Sequence, residues 1–565
     1  MTDATVPAHL DPRLAEFLAV TDRLTGPGSP FEVVTEDVLG EPMRVFAQRP
    51  ANLRAFIAAT PAFGDRLAMA FSDGTEITYG ELSGQVASVA RYLQDVHGVG
   101  KGDNVALCGA NSAGWILSFW ACLSLGAVAV AMNGWWTETE IGHALELTEP
   151  KVVMADARRA ERLPADLTAS LVDLDADLPA MLAHAPGAAL PDNAVDEDDP
   201  AMLIFTSGTT GRAKAAVLSH RSIIAYSMLQ NFIGARGMVL AGRGPTGGPP
   251  PVRLAVFPLF HVSGLGTTVN SIHTGSTTVW PLGRFDAGTV IDLTVRYGIN
   301  LWGGTGTHVL RLVEHDDIDR VEPTQLLTVG MGGSATTPDI IRRVEAAFPH
   351  LQGTMSTGYG STETGALVSY APNWMLVASP DCIGPPLPTV DVRITGPMGE
   401  VLPEGEEGVI CARSPLLMKG YYRNDAANAD AFDDGRWFNT GDFGRLESGV
   451  LHIASRKRDL IIRGGENVYP FEVENRLDEH EEIVEAAVIG VDHPDLGQEV
   501  KAIVVVTADS TLSEDDIRAH CAEALASFKV PSQVELRAEP LPRNPSGKVL
   551  KNVLAGDAQT NFVDE

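Results

Sequence analysis

The sequence predicts an α/β protein with a large, multi-subdomain N-terminal part and a small C-terminal α+β unit. Three observations predict it. The chain has 565 residues, too many for one ordinary hydrophobic core. From Leu67 onward, apolar runs of strand length alternate with stretches of helical period, the pattern of parallel or mixed sheets packed with helices. Around residues 451–459 the chain becomes a basic turn, and a second, shorter strand–helix series follows. A division into 1–457 and 458–565 is therefore expected.

The elements are justified in order. Residues 12–24 carry a helical pattern closed by Gly26-Pro27-Gly28. Residues 68–71 and 76–78 read as a hairpin around Asp73-Gly74, and 79–96 as a helix with Leu82, Val86, Val89 and Leu93 on one face. Residues 104–108 form a strand. The stretch 113–132 is uncharged and long enough to span a bilayer, but Ser118, Ser124 and Gly126 interrupt it and its flanks have no positive bias. It reads instead as a buried helix to Leu125, a stop at Gly126 and a buried strand over 128–132. A helix over 141–147 and a strand over 151–155 follow. Residues 186–200 are an acidic, Pro/Ala-rich linker leading into an apolar strand at 201–205. Residues 215–218 lead towards a helical pattern, and the Gly/Pro-rich stretch 236–251 reads as a mobile surface loop. In the last unit, a helix starts near Pro470, 486–490 and 501–506 are strands, and 513–526 is a helix.

Composition narrows the function. Hydrophobic residues make up 44% and charged residues 20%, an ordinary globular balance. A net charge of −31 disfavours nucleic acid and anionic membranes as partners. Five cysteines, Cys108, Cys122, Cys382, Cys411 and Cys521, are scattered without metal-ligand spacing, which fits a reduced, cytoplasmic protein without structural zinc. The N-terminal residues show no secretory pattern.

The chemistry centres on Thr206-Ser207-Gly208-Thr209-Thr210-Gly211-Arg212-Ala213-Lys214. Gly208 and Gly211 let backbone N–H groups converge on an anion, the hydroxyls add donors, and Lys214 adds a positive charge. A Walker loop does not fit, because Gly211 is followed by Arg212 and Lys214 by Ala215. The stretch resembles the phosphate loop of the adenylate-forming (ANL) superfamily, which includes acyl-CoA synthetases, peptide-synthetase adenylation domains and luciferases. Ala213 and Ala215 stand where that family usually has proline and glycine.

Further motifs follow in the family's order, and the resemblance covers roughly residues 50–555. It implies a standalone acyl- or aryl-CoA synthetase using ATP, Mg²⁺ and coenzyme A. It places ATP or AMP at Ser207, Gly208, Thr209, Thr210, Gly211 and Lys214, with Thr206 counted among the catalytic residues. Gly333, Ser334 and Ala335 lie along the adenine in the implied arrangement, and Tyr359 and Gly360 belong to the block that stacks on it. Thr362 touches phosphate, Glu363 holds Mg²⁺, Asp442 accepts from the ribose hydroxyls and Arg456 completes the nucleotide set. Arg458 takes the hinge position, with Ser455 replacing the family's glycine. Gly464 and Gly465 form the face that admits the pantetheine thiol, and Lys548 is the terminal catalytic lysine. Dimers are common among such enzymes, so the resemblance admits a homodimer.

The acid is read from the pocket. His261, after Phe257-Pro258-Leu259-Phe260, borders the acyl site in the implied arrangement. Gly304, Gly306, Gly332 and Gly360, with neighbouring glycines, suggest a pocket with wall side chains removed. The expected substrate is a bulky, largely apolar carboxylic acid, with no arginine or lysine evidently reserved for a second carboxylate. The alternatives are a thioester-forming half-enzyme fed with acyl-adenylate, acyl transfer to a carrier protein or amine, a luciferase-type oxygenase, and a non-catalytic nucleotide-binding scaffold. The joint presence of Lys214, Glu363, Asp442 and Lys548 argues against the scaffold.

Overall fold

The computed structural model describes residues 11–206, 213–245, 250–332, 338–456, 459–464, 466–543 and 549–556. Two large sheets frame the N-terminal part. The first runs, in spatial order, Lys214–Ser219, Pro200–Thr206, Val128–Ala131, Asn104–Cys108, Val152–Ala155 and Ser170–Asp173. It is parallel except for its first pair. The strands at 104, 128 and 152 are apolar along nearly their whole length because both faces are covered.

The second sheet has eight strands: Ser369–Pro372, Ser356–Tyr359, Thr328–Met331, Leu301–Gly304, Val252–Leu254, Thr277–Trp280, Leu67–Phe71 and Glu76–Thr78. Only its two edge pairs are antiparallel. On one face Leu254, Trp302 and Val329 pack with Ile291, Val309 and Val344 of three helices. On the other, Met69 and Trp280 join Leu229 of the His220–Leu240 helix and Leu265 of the Val262–Thr274 helix.

The uncharged stretch at 113–132 is a core element. Ser112 caps the Ala113–Leu125 helix, twelve of its residues are buried, and Gly126 ends it in the left-handed region at φ 70°. Among the described residues no helix is long and apolar enough to cross a membrane. All five cysteines are buried free thiols.

A third, antiparallel sheet is built from strands between Cys382 and Arg456. From Ile461 the chain forms its own sheet, with helices Pro470–Asp478 and Glu514–Ala522 and a separate core including Val473, Val488, Val504 and Ile517. The architecture is thus a large mixed α/β N-terminal part followed by a small C-terminal domain.

One expectation is sharpened and two are corrected. Residues 215–218 do lead to a helix, but as part of the strand Lys214–Ser219, and the helix begins after Ser219 caps it. The proposed surface loop from 236 begins as helix, which continues to Leu240. Arg236 anchors that last turn, buried with its guanidinium 3.8 Å from the Phe17 ring centroid and Nη1 donating to Thr21 Oγ1 at 3.2 Å. The helix expected over 513–526 ends at Ala522.

Candidate active site

The hairpin around the expected phosphate loop pairs Thr206 with Lys214. Ser207, Gly208, Thr209, Thr210 and Gly211 lie outside the described residues. The Lys214–Ser219 strand is outermost in its sheet, and residues 419–422 cover its edge. Val217 N–H donates to Gly420 O at 2.9 Å, Lys419 N–H to Val217 O at 2.8 Å and Tyr422 N–H to Ala215 O at 2.7 Å.

This pairing brings Tyr421 to the loop. Lys214 Nζ stands 5.0 Å from the Tyr421 ring centroid, and Tyr421 Oη donates to Glu363 Oε1 at 3.1 Å. Met418 N–H fixes the same segment by donating to the Glu363 carbonyl at 2.9 Å. Burial and the neighbouring Glu363 carboxylate push the Tyr421 hydroxyl well above its usual range. It therefore stays protonated at neutral pH and orients the carboxylate. Sequence reasoning missed Tyr421, because nothing in its local pattern links it to a loop two hundred residues earlier.

Glu363 sits on a tight turn. Ser361 N–H donates to Thr364 Oγ1 at 2.7 Å and Ala366 N–H to Ser361 O at 2.8 Å. Gly365 and Ala366 both take positive φ, at 63° and 78°. A Cβ on Gly360 would lie 2.3 Å from Ala366 O. Gly360 therefore lacks a side chain so that this turn can close, not to widen a pocket. Thr362 beside it is buried.

Tyr359 Oη donates to Asp442 Oδ2 at 2.7 Å. Asp442 is held in turn, its N–H donating to Thr440 Oγ1 at 3.1 Å while that hydroxyl donates to Ile410 O at 2.8 Å. The backbone of Arg456 pairs opposite Asp442; its side chain lies outside the description.

The other pocket glycines divide. A Cβ on Gly304 would stand 3.1 Å from His308 Cβ, so His308 fills that space and Gly304 is no open wall. Gly306 is the buried first residue of the Gly306–Val313 helix, behind the Thr305 cap. At Gly332 a Cβ would meet nothing within 4 Å. His261 is the half-buried residue preceding the Val262–Thr274 helix. His308 is pushed down to about 4 by burial and by the charges of Arg311 and Arg543.

Arg543 of the C-terminal domain is near enough for its charge to bear on His308, and its backbone bridges to Val549, the residue after Lys548. Lys548, Gly465, Arg458, Gly333, Ser334 and Ala335 lie outside the described residues. Gly464 occupies the left-handed region at φ 59°, which favours glycine whatever passes it. Among the described residues no cluster of three or more metal-ligating side chains exists. A single carboxylate beside a phosphate loop fits Mg²⁺, which keeps waters and takes phosphate oxygens as its other ligands.

A hairpin segment rich in hydroxyls, a lysine at its base, and two separated carboxylates, one on a tight turn and one on a strand, suit a polyanionic nucleotide held with a cation: this is a nucleotide-dependent enzyme of two unequal domains. The chain belongs to the AMP-binding enzyme family, whose model matches residues 56–422, and the family's C-terminal domain matches residues 472–548. It is similar to a feruloyl-CoA synthase of an Amycolatopsis species, 33% identical over 480 residues, covering 85% of this chain and 93% of that protein. A Rhodococcus jostii CoA ligase for a methyl-dioxo-octahydroindenyl propanoyl group is 30% identical over 524 residues, covering 88% and 96%. The ATP-bound structure of MatB from Rhodopseudomonas palustris superposes with a TM-score of 0.79 at 31% identity, covering 90% of this chain and 99% of that one. The chain is an AMP-forming acid–thiol ligase, a class that works with ATP, Mg²⁺ and CoA.

Proposed function

We propose that this enzyme activates a bulky, largely apolar carboxylic acid as its acyl-adenylate and passes the acyl group to CoA. The observation that carries the reading is the convergence of Lys214, Tyr421 and Glu363 at the base of the expected phosphate loop, with Tyr359, at the strand end just before the Glu363 turn, bonded to Asp442 on a strand of the third sheet. Bulk is supported by the open space before Gly332 and by the bicyclic group named for the Rhodococcus relative.

In the first half-reaction the acid's carboxylate oxygen attacks the α-phosphorus, and the bond to pyrophosphate breaks. Catalysis here is positioning and charge neutralisation. Thr206, Ser207, Gly208, Thr209, Thr210, Gly211 and Lys214 hold the leaving phosphates, and Thr362 assists. Glu363 would hold Mg²⁺, which when bound spreads the phosphate charge. Tyr359, Gly333, Ser334 and Ala335 seat the adenine, with Asp442 and Arg456 on the ribose side. Lys548 bridges the carboxylate and the α-phosphate.

In the second half-reaction the CoA sulfur attacks the acyl carbon and AMP leaves. The domain beyond residue 457 turns about Arg458, withdrawing Lys548 and presenting Gly464 and Gly465 to the thiol. The test measures pyrophosphate release from MgATP and thioester formation from synthetic acyl-adenylates across acids from acetate to polycyclic. Both should proceed, fastest with bulky acids, and Lys548→Ala should abolish the first. Thioester formation without pyrophosphate release would reduce the enzyme to its second half, and faster turnover of acetate would refute the bulky acid.

A further inference from the structure

The eight-stranded sheet has an unusual row on the face that looks towards the His220–Leu240 and Val262–Thr274 helices. Alternation sends Val252 and Leu254 to the opposite core, so Arg253 points to this side. Gly303 and Gly330 share the face and pair with one another across adjacent strands. A Cβ on either would meet only a neighbouring strand's backbone oxygen at 3.9 Å. Neither residue puts a side chain on that face, and nothing else described lies within 4 Å of either Cβ position, so the face is bare there.

Arg253 lies on the same face, below the two glycines. It pairs in register with Leu301, two residues before Gly303. Its Nε has no hydrogen-bond partner, and the titratable groups that bear on it are the phenols of Tyr226 and Tyr79, with no carboxylate paired to it among the described residues. Burial lowers the affinity of Arg253 for its proton and raises that of Tyr226. Yet both side chains keep accessible surface. Groups far from bulk solvent that still have accessible surface face an interior space. Tyr226 is held there by Gln230, whose Nε2 donates to Oη at 3.1 Å, and by Gly266, where a Cβ would strike the ring at 2.6 Å.

A buried cation without a counter-charge is costly unless something supplies an acceptor. From the level of Arg253 to that of Gly332, at the nucleotide end, four residues of strand rise about 13 Å. Resting on the acid-activating reading above, we infer that Arg253, with Tyr226, recognises a carbonyl or carboxylate oxygen at the far end of the substrate acid, on the order of 10 Å from the carboxylate that is activated. The substrate class is then a flat or polycyclic acid with an oxygenated distal end. On this assignment Arg253 is the arginine that the sequence reading did not find for a second carboxylate.

The test compares biphenyl-4-carboxylate, 4′-acetylbiphenyl-4-carboxylate and biphenyl-4,4′-dicarboxylate in wild type and Arg253→Met. Wild type should favour one or both oxygenated acids by roughly 10–100-fold in kcat/KM, the range for a site that must pair a buried polar group. The variant should lose that preference while its rate on biphenyl-4-carboxylate changes less than about threefold. It should also be at least as heat-stable as wild type, because it removes an unpaired buried charge. Equal loss on all three acids, no preference in wild type, or an unstable variant would each overturn the assignment. Adenylation of short acids but none of the biphenyls would overturn it while leaving the ligase intact. Failure with every acid would remove the ligase reading itself.

Discussion

Tyr359 Oη and Asp442 Oδ2 stand 2.7 Å apart, joining a strand end of the eight-stranded sheet to the long strand Trp437–Glu447 of the third sheet. One bond thus fixes the angle of the ring assigned to adenine and the orientation of the carboxylate assigned to ribose. Tyr359→Phe keeps the stacking face and releases the carboxylate. The KM for ATP should rise by roughly 3–10-fold with kcat little changed, the cost of one hydrogen bond to a charged group. Asp442→Asn removes the charge as well and should cost more. Steady-state titration of ATP at saturating acid and CoA checks both.

Tyr421 ties the Glu363 carboxylate to the edge segment beside Lys214. Tyr421→Phe leaves the ring under Lys214 but frees Glu363 to rotate. The Mg²⁺ concentration for half-maximal pyrophosphate release should rise roughly tenfold, as for loss of an outer partner of a metal ligand. An unchanged Mg²⁺ dependence would show that Glu363 does not serve the metal.

Two glycines assigned to the same pocket should respond oppositely. Gly360→Ala drives a methyl to within 2.3 Å of Ala366 O and should destabilise the protein by about 1–3 kcal/mol. Gly332→Ala meets nothing within 4 Å, so stability should hold while the range of accepted acids narrows. Thermal melts and an acid panel on both variants separate the two roles.

Those glycines show where the sequence was legible and where it was not. Periodicity located the Tyr79–His97 helix to within one residue, and Gly126 stopped its helix as read. The order of motifs pointed to the family, and the family models match along the chain in that order. Contacts closed by tertiary pairing were hidden. Tyr421 reaches Lys214 only because residues 419–422 add to a sheet edge. Gly304 and Gly360 read as an empty wall because the sequence does not show what opposes a missing side chain: His308 for one, a turn carbonyl for the other. Arg253 did carry a signal, a lone charge inside a short apolar strand.

Burial should also set the acid limit of stability. His220 is fully buried, accepts from Leu53 N–H through Nδ1 at 3.2 Å, and is pushed down to about 4 by that burial. Its folded value lies below its unfolded value near 6.5, so the unfolded chain binds the proton more readily between them. The stabilisation is complete above about pH 6.5 and is lost as pH falls towards 4, by on the order of 3 kcal/mol. Chemical denaturation from pH 7.5 to 4.5 should show this slope, and His220→Asn, which keeps an acceptor, should flatten it. An equal slope in the variant would assign the acid limit to other groups.

The last prediction concerns the turn of the C-terminal domain. Tyr469 Oη donates to Glu407 Oε2 at 2.8 Å, a bond from the small domain to the large one. Burial and that carboxylate raise the tyrosine to about 12, so the proton stays in place throughout the working range. If the two half-reactions use different domain orientations, a bond present in this one biases the enzyme towards it. Tyr469→Phe should remove that bias and shift the ratio of adenylation to thioesterification rates by roughly 2–10-fold, the effect of about one hydrogen bond. The two rates would be read separately, from pyrophosphate release and from thioester formed on pre-made adenylate. Loss in both by the same factor would mean that the bond supports the fold and has no part in choosing the orientation.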